Sequence, residues 1–303
     1  VWKLQYTTVL ARFTSLVPTV GNRPYATTYG AMHRLALRMG SRAELAVYEA
    51  IVFAEDTLGT GKAQRRRGFD PAYLNPLVLY RSVEQDRNSP DNALLGASAS
   101  WVVVPGLQLY GEALLDELTV SEIGEQSWVN KWGFLGGVRL APTAVPGLLV
   151  QVEASRLRPY LYSHLNERTS VVHYGDGLGH PAGPNAVDLL LHVDWRLSPR
   201  LHAAFDVAHT RRGRNRDSLN YGSDPRVSYT SRVADKPVPI LQGVRQTTIL
   251  AEGHVSYGLL PSLVLEAGLR GQRIRDAVTG QDTYLAPTLG LRWGVPFRGT
   301  RYD

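Results

Sequence analysis

The sequence lacks several features, and each absence narrows the possible folds. It has no cysteine among its 303 residues, which excludes a disulfide framework and thiolate metal sites. It has no unbroken apolar stretch of the roughly twenty residues that a membrane-spanning helix requires. Helical periodicity is scarce, so β-structure remains the main source of order. The hydrophobic fraction of 44% is compatible with a membrane β-barrel, because its strands need an apolar residue only at every second position.

Strict alternation of apolar and polar residues is the dominant pattern. In the segment 187–197, one face carries Val187, Leu189, Leu191, Val193, Trp195 and Leu197, and the other carries Asp188, Leu190, His192, Asp194 and Arg196. After Ser198-Pro199-Arg200 the alternation resumes with apolar residues at 201, 203, 205 and 207. This pattern predicts a β-hairpin with one apolar and one polar face.

The same pattern predicts about twelve strands in one domain over residues 1–303. The predicted strands are 1–14, 28–40, 43–55, 92–104, 107–118, 128–141, 147–159, 186–198, 201–211, 244–258, 262–275 and 282–295. Short turns at 40–42, 105–106, 141–146, 198–200 and 259–261 alternate with long connections at 15–27, 56–91, 119–127, 160–185 and 212–243. The longest external loops are therefore expected at 56–91, 160–185 and 212–243.

Sorting of short and long connections to opposite ends is typical of outer-membrane barrels, which have short periplasmic turns and long external loops. We therefore predict an all-β, antiparallel transmembrane β-barrel in the bacterial outer membrane, with both termini facing the periplasm. Outer-membrane lipid and lipopolysaccharide would be its immediate surroundings. The sequence begins at Val1 without a recognisable signal peptide, so we expect a mature or truncated chain.

The polar face of the predicted strands would line the barrel lumen. Its charges are mixed in sign, which favours mutual pairing between strands over a selective ion path. The predicted luminal network comprises Glu112, Asp116, Glu153, His192, Asp194 and Asp206. If the turn pairs Leu197 with Leu201, His192 lies opposite Asp206. In an enzyme, such a pair could act as a general base and the carboxylate that orients it. The sequence places no serine or cysteine nucleophile beside this pair, so we predict no catalytic site.

Positive charge concentrates in two long connections. One predicted ligand-binding cluster is Lys62, Arg65, Arg66 and Arg67, and the other is Arg211, Arg212, Arg214 and Arg216. Guanidinium groups bind phosphate and carboxylate with two parallel hydrogen bonds, so lipopolysaccharide phosphates or an acidic surface polysaccharide are the expected ligands. The alternative is that these are solvated loop charges. Neither a cofactor nor a nucleic-acid partner is expected.

Two further sequence motifs match neither a metal site nor a phosphate-binding loop. His164, His173 and His180 share one connection, but their wide spacing matches no metal-ligand pattern, and no metal site is predicted. The stretch Gly59-Thr60-Gly61-Lys62 lacks the first glycine of a phosphate loop and has Ala63 where serine or threonine should follow.

Several segments in order carry a family resemblance. They are Ala31-Met32-His33-Arg34-Leu35; Tyr73-Leu74-Asn75-Pro76 with Tyr80 and Glu84; 92–96; Tyr110-Gly111-Glu112 with Asp116-Glu117; Glu153 ahead of Tyr160-Leu161-Tyr162-Ser163-His164; and 178–186. Together they resemble the capsule-assembly Wzi-like family of outer-membrane β-barrels, particularly its Bacteroidetes-type members. The resemblance implies that the chain is part of a larger barrel of up to eighteen strands and that it lacks an N-terminal portion. It also implies an ordered loop at 70–90, with Phe69, Tyr73, Leu77 and Tyr80 packed inward as a constriction.

The resemblance implies a non-catalytic role in holding capsular polysaccharide at the cell surface, but it assigns no site residue. From the residues and the resemblance together, we predict a non-enzymatic barrel that binds or anchors surface polysaccharide, or scaffolds a complex of envelope partner proteins. The alternatives are a passive or substrate-specific porin and, further, an outer-membrane hydrolase built on His192 and Asp206.

Overall fold

The computed structural model describes residues 2–17, 25–54, 69–74 and 91–294. It contains one sheet of twelve antiparallel strands and a separate two-stranded hairpin. The sheet strands are β1 (Trp2–Ser15), β2 (Ala26–Met39), β3 (Ala43–Ala54), β4 (Asn92–Val104), β5 (Leu107–Glu117), β6 (Lys131–Leu140), β7 (Leu148–Leu157), β10 (Ala186–Arg196), β11 (Leu201–Arg214), β12 (Val244–Leu260), β13 (Leu263–Asp276) and β14 (Gly280–Trp293). The hairpin consists of β8 (Val172–His173) and β9 (Asp176–Gly177). Among the described residues, no helix is long and apolar enough to cross a membrane.

All twelve predicted strands are present, and their bounds differ from the prediction by a few residues. β6 begins at Lys131 instead of 128, because Trp128 belongs to the preceding loop and packs against Tyr229 with ring centroids 4.7 Å apart. β11 continues to Arg214, three residues beyond its predicted end. The β8–β9 hairpin was not predicted, because two-residue strands are too short to show alternation.

Each strand of the sheet pairs with its neighbour in sequence, apart from the hairpin inserted between β7 and β10. β1 and β14 are the two edge strands of the described sheet. The predicted register of the β10–β11 hairpin is confirmed, since His192 pairs with Asp206 across the two strands. Because directly paired residues point to the same face, the ladder fixes every side chain as luminal or outward.

The outward face is apolar and exposed. It carries Leu35, Val47, Phe205 and Leu269, whose side chains project from four different strands. The luminal face of the same strands carries Arg34, Tyr48, Asp206 and Arg270 in a parallel arrangement. A band of exposed large apolar residues is not stable in water, but it matches the hydrocarbon core of a membrane.

The two ends of the sheet differ in their connections, as predicted. At one end, β-strands are joined by short turns at 40–42, 105–106, 141–147, 197–200 and 261–262. Gly40 and Gly106 occupy two of these turns with φ of 67° and 85°, a backbone conformation that favours glycine. The connections at the other end, which we call the long-loop end, include 118–130, 158–185 and 215–243. One connection at this end departs from the predicted alternation, since β13 and β14 are joined by the short turn 277–279.

The segment 69–74 lies on a different face from the one predicted. Tyr73 is fully buried and packs on Phe53, with ring centroids 4.8 Å apart. Phe53 shares its face with the outward-facing Val47, because both are odd-numbered residues of β3. Phe69 also packs near Phe53, with ring centroids 5.8 Å apart. The expected inward packing of Phe69 and Tyr73 is therefore wrong. Leu77 and Tyr80, the other predicted members of this constriction, lie outside the described residues.

Candidate functional site

The predicted luminal network forms a series of side-chain pairs, some between adjacent strands and some across one intervening strand. Tyr48 lies opposite Gly96 and donates a hydrogen bond to Glu112 one strand further on. Tyr110 repeats the arrangement, lying opposite Gly137 and donating to Glu153 at 2.7 Å. A Cβ atom at either glycine would overlap the tyrosine ring. Each ring therefore covers a bare stretch of backbone and presents its hydroxyl to a carboxylate.

The part of the lumen near the short turn 197–200 carries two histidine–aspartate pairs. Nδ1 of His192 and Oδ1 of Asp206 are 2.7 Å apart, and Nε2 of His202 and Oδ2 of Asp194 are also 2.7 Å apart. Further cross-strand ion pairs follow the same wall: Arg34–Glu44, Arg38–Glu44, Arg270–Glu252 and Arg292–Glu266. His192 and Asp206 thus form one of several similar pairs. Within the described part of the chain, no group of three or more histidine, aspartate and glutamate residues could hold a metal ion.

The predicted luminal residue Asp116 lies in a different environment, at the long-loop end of β5. Its carboxylate forms an ion pair of 3.0 Å with Lys131, and both side chains are fully shielded from solvent. Asp116 also accepts a hydrogen bond of 2.7 Å from the backbone N–H of Tyr162, and the Lys131 ammonium donates to the carbonyl oxygen of Ser163 at 2.8 Å. These bonds attach the loop 158–185 to the barrel wall.

Arg158 ties three connections of the long-loop end together. Its guanidinium donates to the carbonyl oxygens of Asn130 at 3.1 Å, Val238 at 2.8 Å and Ser127 at 2.7 Å. Asn185 makes a similar junction, donating to the carbonyl oxygens of Gly213 and Gln242 and accepting from the N–H of Leu241. The loops 118–130, 158–185 and 215–243 therefore form one ordered body, which we call the cap.

The three histidines of the cap have structural hydrogen bonds. His164 Nδ1 lies 2.7 Å from the Thr169 hydroxyl, and burial, followed by the nearby Lys131 charge, lowers the pKa of His164 to about 3. His173 Nδ1 accepts from the backbone N–H of Thr14 at 3.1 Å. His180 Nδ1 accepts from the N–H of Ala182 at 3.1 Å, so its Nε2 carries the proton of the neutral ring and donates to Ser155 Oγ at 3.0 Å.

The loop 158–185 crosses the mouth of the sheet from β7 to the edge strand β1. Besides the Thr14–His173 bond, the backbone N–H of Tyr174 donates to the carbonyl oxygen of Thr14 at 2.9 Å. Earlier in the loop, the 3-10 turn Glu167–Thr169 lies against β2 and β3. The loop thus covers the luminal opening between β1 and β7.

Of the two predicted basic clusters, the structure describes one. Lys62, Arg65, Arg66 and Arg67 lie outside the described residues. The second cluster is divided between the two faces, because three of its arginines belong to β11 and not to the following loop. Arg211 is exposed and shares the outward face with Phe205, whereas Arg212 and Arg214 point to the lumen side. Arg216 follows the strand and forms a 3.6 Å ion pair with Asp217.

Arg212 and Arg214 line a cleft of about 440 Å³ at the long-loop end, between the segments 175–183 and 212–226. Arg226, two aspartates (Asp176 and Asp224) and His180 also line this cleft. Sequence reasoning missed Asp224 and His180 as members, because only the folded cap brings them beside β11.

Two of the three cleft arginines have carboxylate partners. Arg214 pairs with Asp276, its Nε donating at 2.6 Å. Arg226 donates to both carboxylate oxygens of Asp224, at 2.9 and 2.7 Å. Burial alone would raise the Asp224 pKa, but the hydrogen bonds and charge of Arg226 outweigh it and hold that pKa below its ordinary value.

Arg212, the third arginine of the cleft, has a different set of hydrogen bonds from Arg214 and Arg226. One of its terminal nitrogens donates to the carbonyl oxygen of Ser223 at 2.8 Å. Its Nε is buried and has no hydrogen-bond partner among the residues that the structure describes. The carboxylate that acts on it most strongly, Asp224, is already bonded to Arg226. The cleft therefore holds a half-buried guanidinium with donor capacity to spare, which is the chemistry of an anion-binding group.

The amphipathic antiparallel sheet, with its short turns at one end and ordered loops at the other, defines an outer-membrane β-barrel protein. No protein-family model matches the sequence, and no curated protein matches it. Among solved structures, the fold is similar to that of Wzi, an outer-membrane protein involved in group 1 capsule assembly in Escherichia coli and described as a carbohydrate-binding β-barrel. That match has a TM-score of 0.54 and 13% sequence identity.

The match covers 97% of this chain but 56% of the Wzi chain, so the chain spans little more than half the length of that protein. Two other barrels give lower scores. A ferric enterobactin receptor of Pseudomonas aeruginosa has a TM-score of 0.42 at 11% identity, covering 95% of this chain and 41% of its own. A Rhodopseudomonas blastica porin has a TM-score of 0.25 at 5% identity, covering 97% and 99%. Scores this low do not define a shared fold, and the similarity to Wzi supports the fold alone.

Proposed function

We propose that this protein is a non-enzymatic outer-membrane barrel that binds an acidic surface polysaccharide in the cleft between segments 175–183 and 212–226. The observation that carries the proposal is the half-buried Arg212 guanidinium, whose Nε has no hydrogen-bond partner among the described residues. A buried N–H without an acceptor is costly, and an anionic group on the ligand would supply the missing acceptor.

The pairing of charges leaves Arg212 as the arginine of the cleft that is available to an anionic group, because the second carboxylate of the lining, Asp176, acts on Arg226. Arg214 and Arg226 already have carboxylate partners in Asp276 and Asp224, so among the described residues of this cleft the Arg212 charge is the one left without a paired carboxylate. A uronic acid carboxylate or a phosphate substituent would complement it with charge-assisted hydrogen bonds. The position of the cleft, at the long-loop end of the barrel, gives access to a polymer outside the cell.

The similarity to Wzi supports this proposal, because that barrel is described as carbohydrate-binding. The cap argues against the competing function of a passive porin, since the loop 158–185 crosses the mouth from β7 to β1. A hydrolase built on His192 and Asp206 has less support, because the pair resembles the other cross-strand pairs of the wall.

The test is binding of acidic and neutral surface polysaccharides to the purified full chain, held in amphipathic polymer. Arg212→Gln should weaken binding of the acidic polymer by about ten-fold or more, since hydrogen bonds to charged groups contribute roughly 1.5–3 kcal/mol. Arg211→Gln is the matched control, because Arg211 is the adjacent residue and faces outward. Equal effects of the two substitutions, or equal binding of neutral and acidic polymers, would contradict the proposal.

Conductance separates the proposal from the porin alternative. With the cap intact, the protein in planar bilayers should show little or no steady conductance. A large, stable conductance would instead assign it to the porins. The His192→Ala variant should retain polysaccharide as the unaltered protein does, and loss of retention in this variant would favour an enzyme.

A further inference from the structure

A second cavity lies beneath the cap, on the luminal side of the sheet, with a volume of about 420 Å³. Its walls include Val9, Met32, Leu94, Leu114 and Leu135, and Tyr162 and His180 of the cap form its roof. The volume is within the range of roughly 300–1,000 Å³ that is usual for ligand pockets.

The chemistry of this cavity differs from that of the lumen below it. Most of the luminal wall consists of paired charges, whereas here β1, β2, β4, β5 and β6 each turn an aliphatic side chain inward. Glu112, the acidic residue of the lining, already accepts a hydrogen bond from Tyr48. A wall whose described residues are mostly aliphatic selects an uncharged, apolar occupant, and aliphatic surface facing water is unfavourable until something covers it.

His180 separates this cavity from the cleft. It lines both of them, and its backbone N–H donates to the Tyr162 hydroxyl at 3.2 Å. Gly179 passes directly against the Tyr162 ring, and a Cβ atom there would overlap the ring. The anion-binding cleft and the aliphatic cavity therefore meet at His180, on either side of one backbone segment.

We propose that the cleft and the cavity together bind one amphipathic molecule, an anionic glycolipid. Its phosphate or carboxylate would pair with Arg212 in the cleft, and its acyl chain would pass His180 and fill the aliphatic cavity. The inference rests on the proposed function for the anionic group, and it adds that the ligand is the lipid-bearing end of a surface glycan. The barrel would then hold the glycan by its anchor, and the length of the sugar chain would not matter.

The experiment measures binding of inorganic phosphate, octyl phosphate and octyl glucoside to the full chain in amphipathic polymer by calorimetry. Octyl phosphate should bind at least about ten-fold more tightly than inorganic phosphate, because the chain buries apolar surface. It should also bind more tightly than octyl glucoside, which has the same chain and no charge. Leu135→Trp fills the cavity and should remove the gain from the chain while leaving inorganic phosphate binding unchanged.

Val138→Trp is the matched control, because it places the same side chain on the outward face of the same strand. Leu114→Phe is a milder filling variant, and heat-dependent gel mobility checks the folding of each protein. If Leu135→Trp and Leu114→Phe leave octyl phosphate binding intact while Arg212→Gln weakens both phosphate probes, the acyl cavity is refuted and the proposed function stands. If Arg212→Gln changes neither phosphate probe, both proposals fail.

Discussion

The Lys131 ammonium lies 3.0 Å from the Asp116 carboxylate, and neither side chain is accessible to solvent. This ion pair joins β5 and β6 at their long-loop ends, where the loop 158–185 contacts the barrel wall. The same two residues bond to the backbone of Tyr162 and Ser163. The pair therefore anchors residues 162 and 163 of the cap to the barrel wall.

Removing the cation should loosen this part of the cap. Lys131→Met leaves a buried carboxylate without its counterion, which costs about 3–5 kcal/mol when one partner of a buried pair is lost. We expect faster hydrogen–deuterium exchange in residues 160–170 of this variant, with exchange in the sheet strands largely unchanged. Arg196→Met, on the exposed lower end of β10, is the control and should leave the cap as it is. Unchanged exchange at 160–170 in Lys131→Met would refute this account of the attachment.

The two faces of β10 should respond differently to the same substitution. Leu191 faces outward, and Leu191→Arg should cost roughly 2–4 kcal/mol and impair folding into lipid bilayers. Leu190 is adjacent but luminal, directly opposite Glu153 and Ala208. Leu190→Arg should be tolerated much better, because the guanidinium would lie among water and carboxylates. Unfolding in denaturant after insertion into vesicles measures both, and equal losses would contradict the assignment of faces.

Cysteine labelling tests the orientation against a cysteine-free background. Ser218→Cys lies in the exposed part of the cap loop 215–243, and Ala144→Cys lies in the exposed turn between β6 and β7. An impermeant thiol reagent on intact cells should label position 218 and spare position 144, because the long loops of such barrels face outward. Labelling of 144 alone would mean that the barrel has the opposite orientation.

Acid should loosen the cap through His164. The pKa of this buried histidine is lowered to about 3, whereas an unfolded histidine titrates near 6.5. Between these values the unfolded cap binds a proton that the folded cap does not, so stability rises with pH and is lost as pH falls from about 6.5 toward 3. Exchange of residues 160–170, corrected for intrinsic rates, should therefore accelerate over this window. His164→Gln should flatten that dependence, and an unchanged pH profile in this variant would refute the assignment.

The strands, the short turns and the pairs between neighbouring strands could all be predicted from the order of the residues. Alternation with period two marks a strand wherever one face is apolar, and a short turn then fixes the register. The contact between His192 and Asp206 follows from the Ser198-Pro199-Arg200 turn in this way. The luminal charge pairs follow for the same reason, since their partners lie on adjacent strands.

The positions of the loops could not be predicted in this way, because they depend on contacts between distant parts of the chain. Arg158 bonds to the carbonyl oxygen of Val238, and Thr14 bonds to His173, across 80 and 159 residues of sequence. No local period relates such residues, because these contacts depend on which loop tops the folded sheet brings together. The same is true of the cleft, where the fold turns Arg211 outward and Arg212 inward and supplies carboxylates to Arg214 and Arg226. Within the cleft this leaves Arg212 as the arginine without a bonded carboxylate, because burial and pairing are properties of the folded chain.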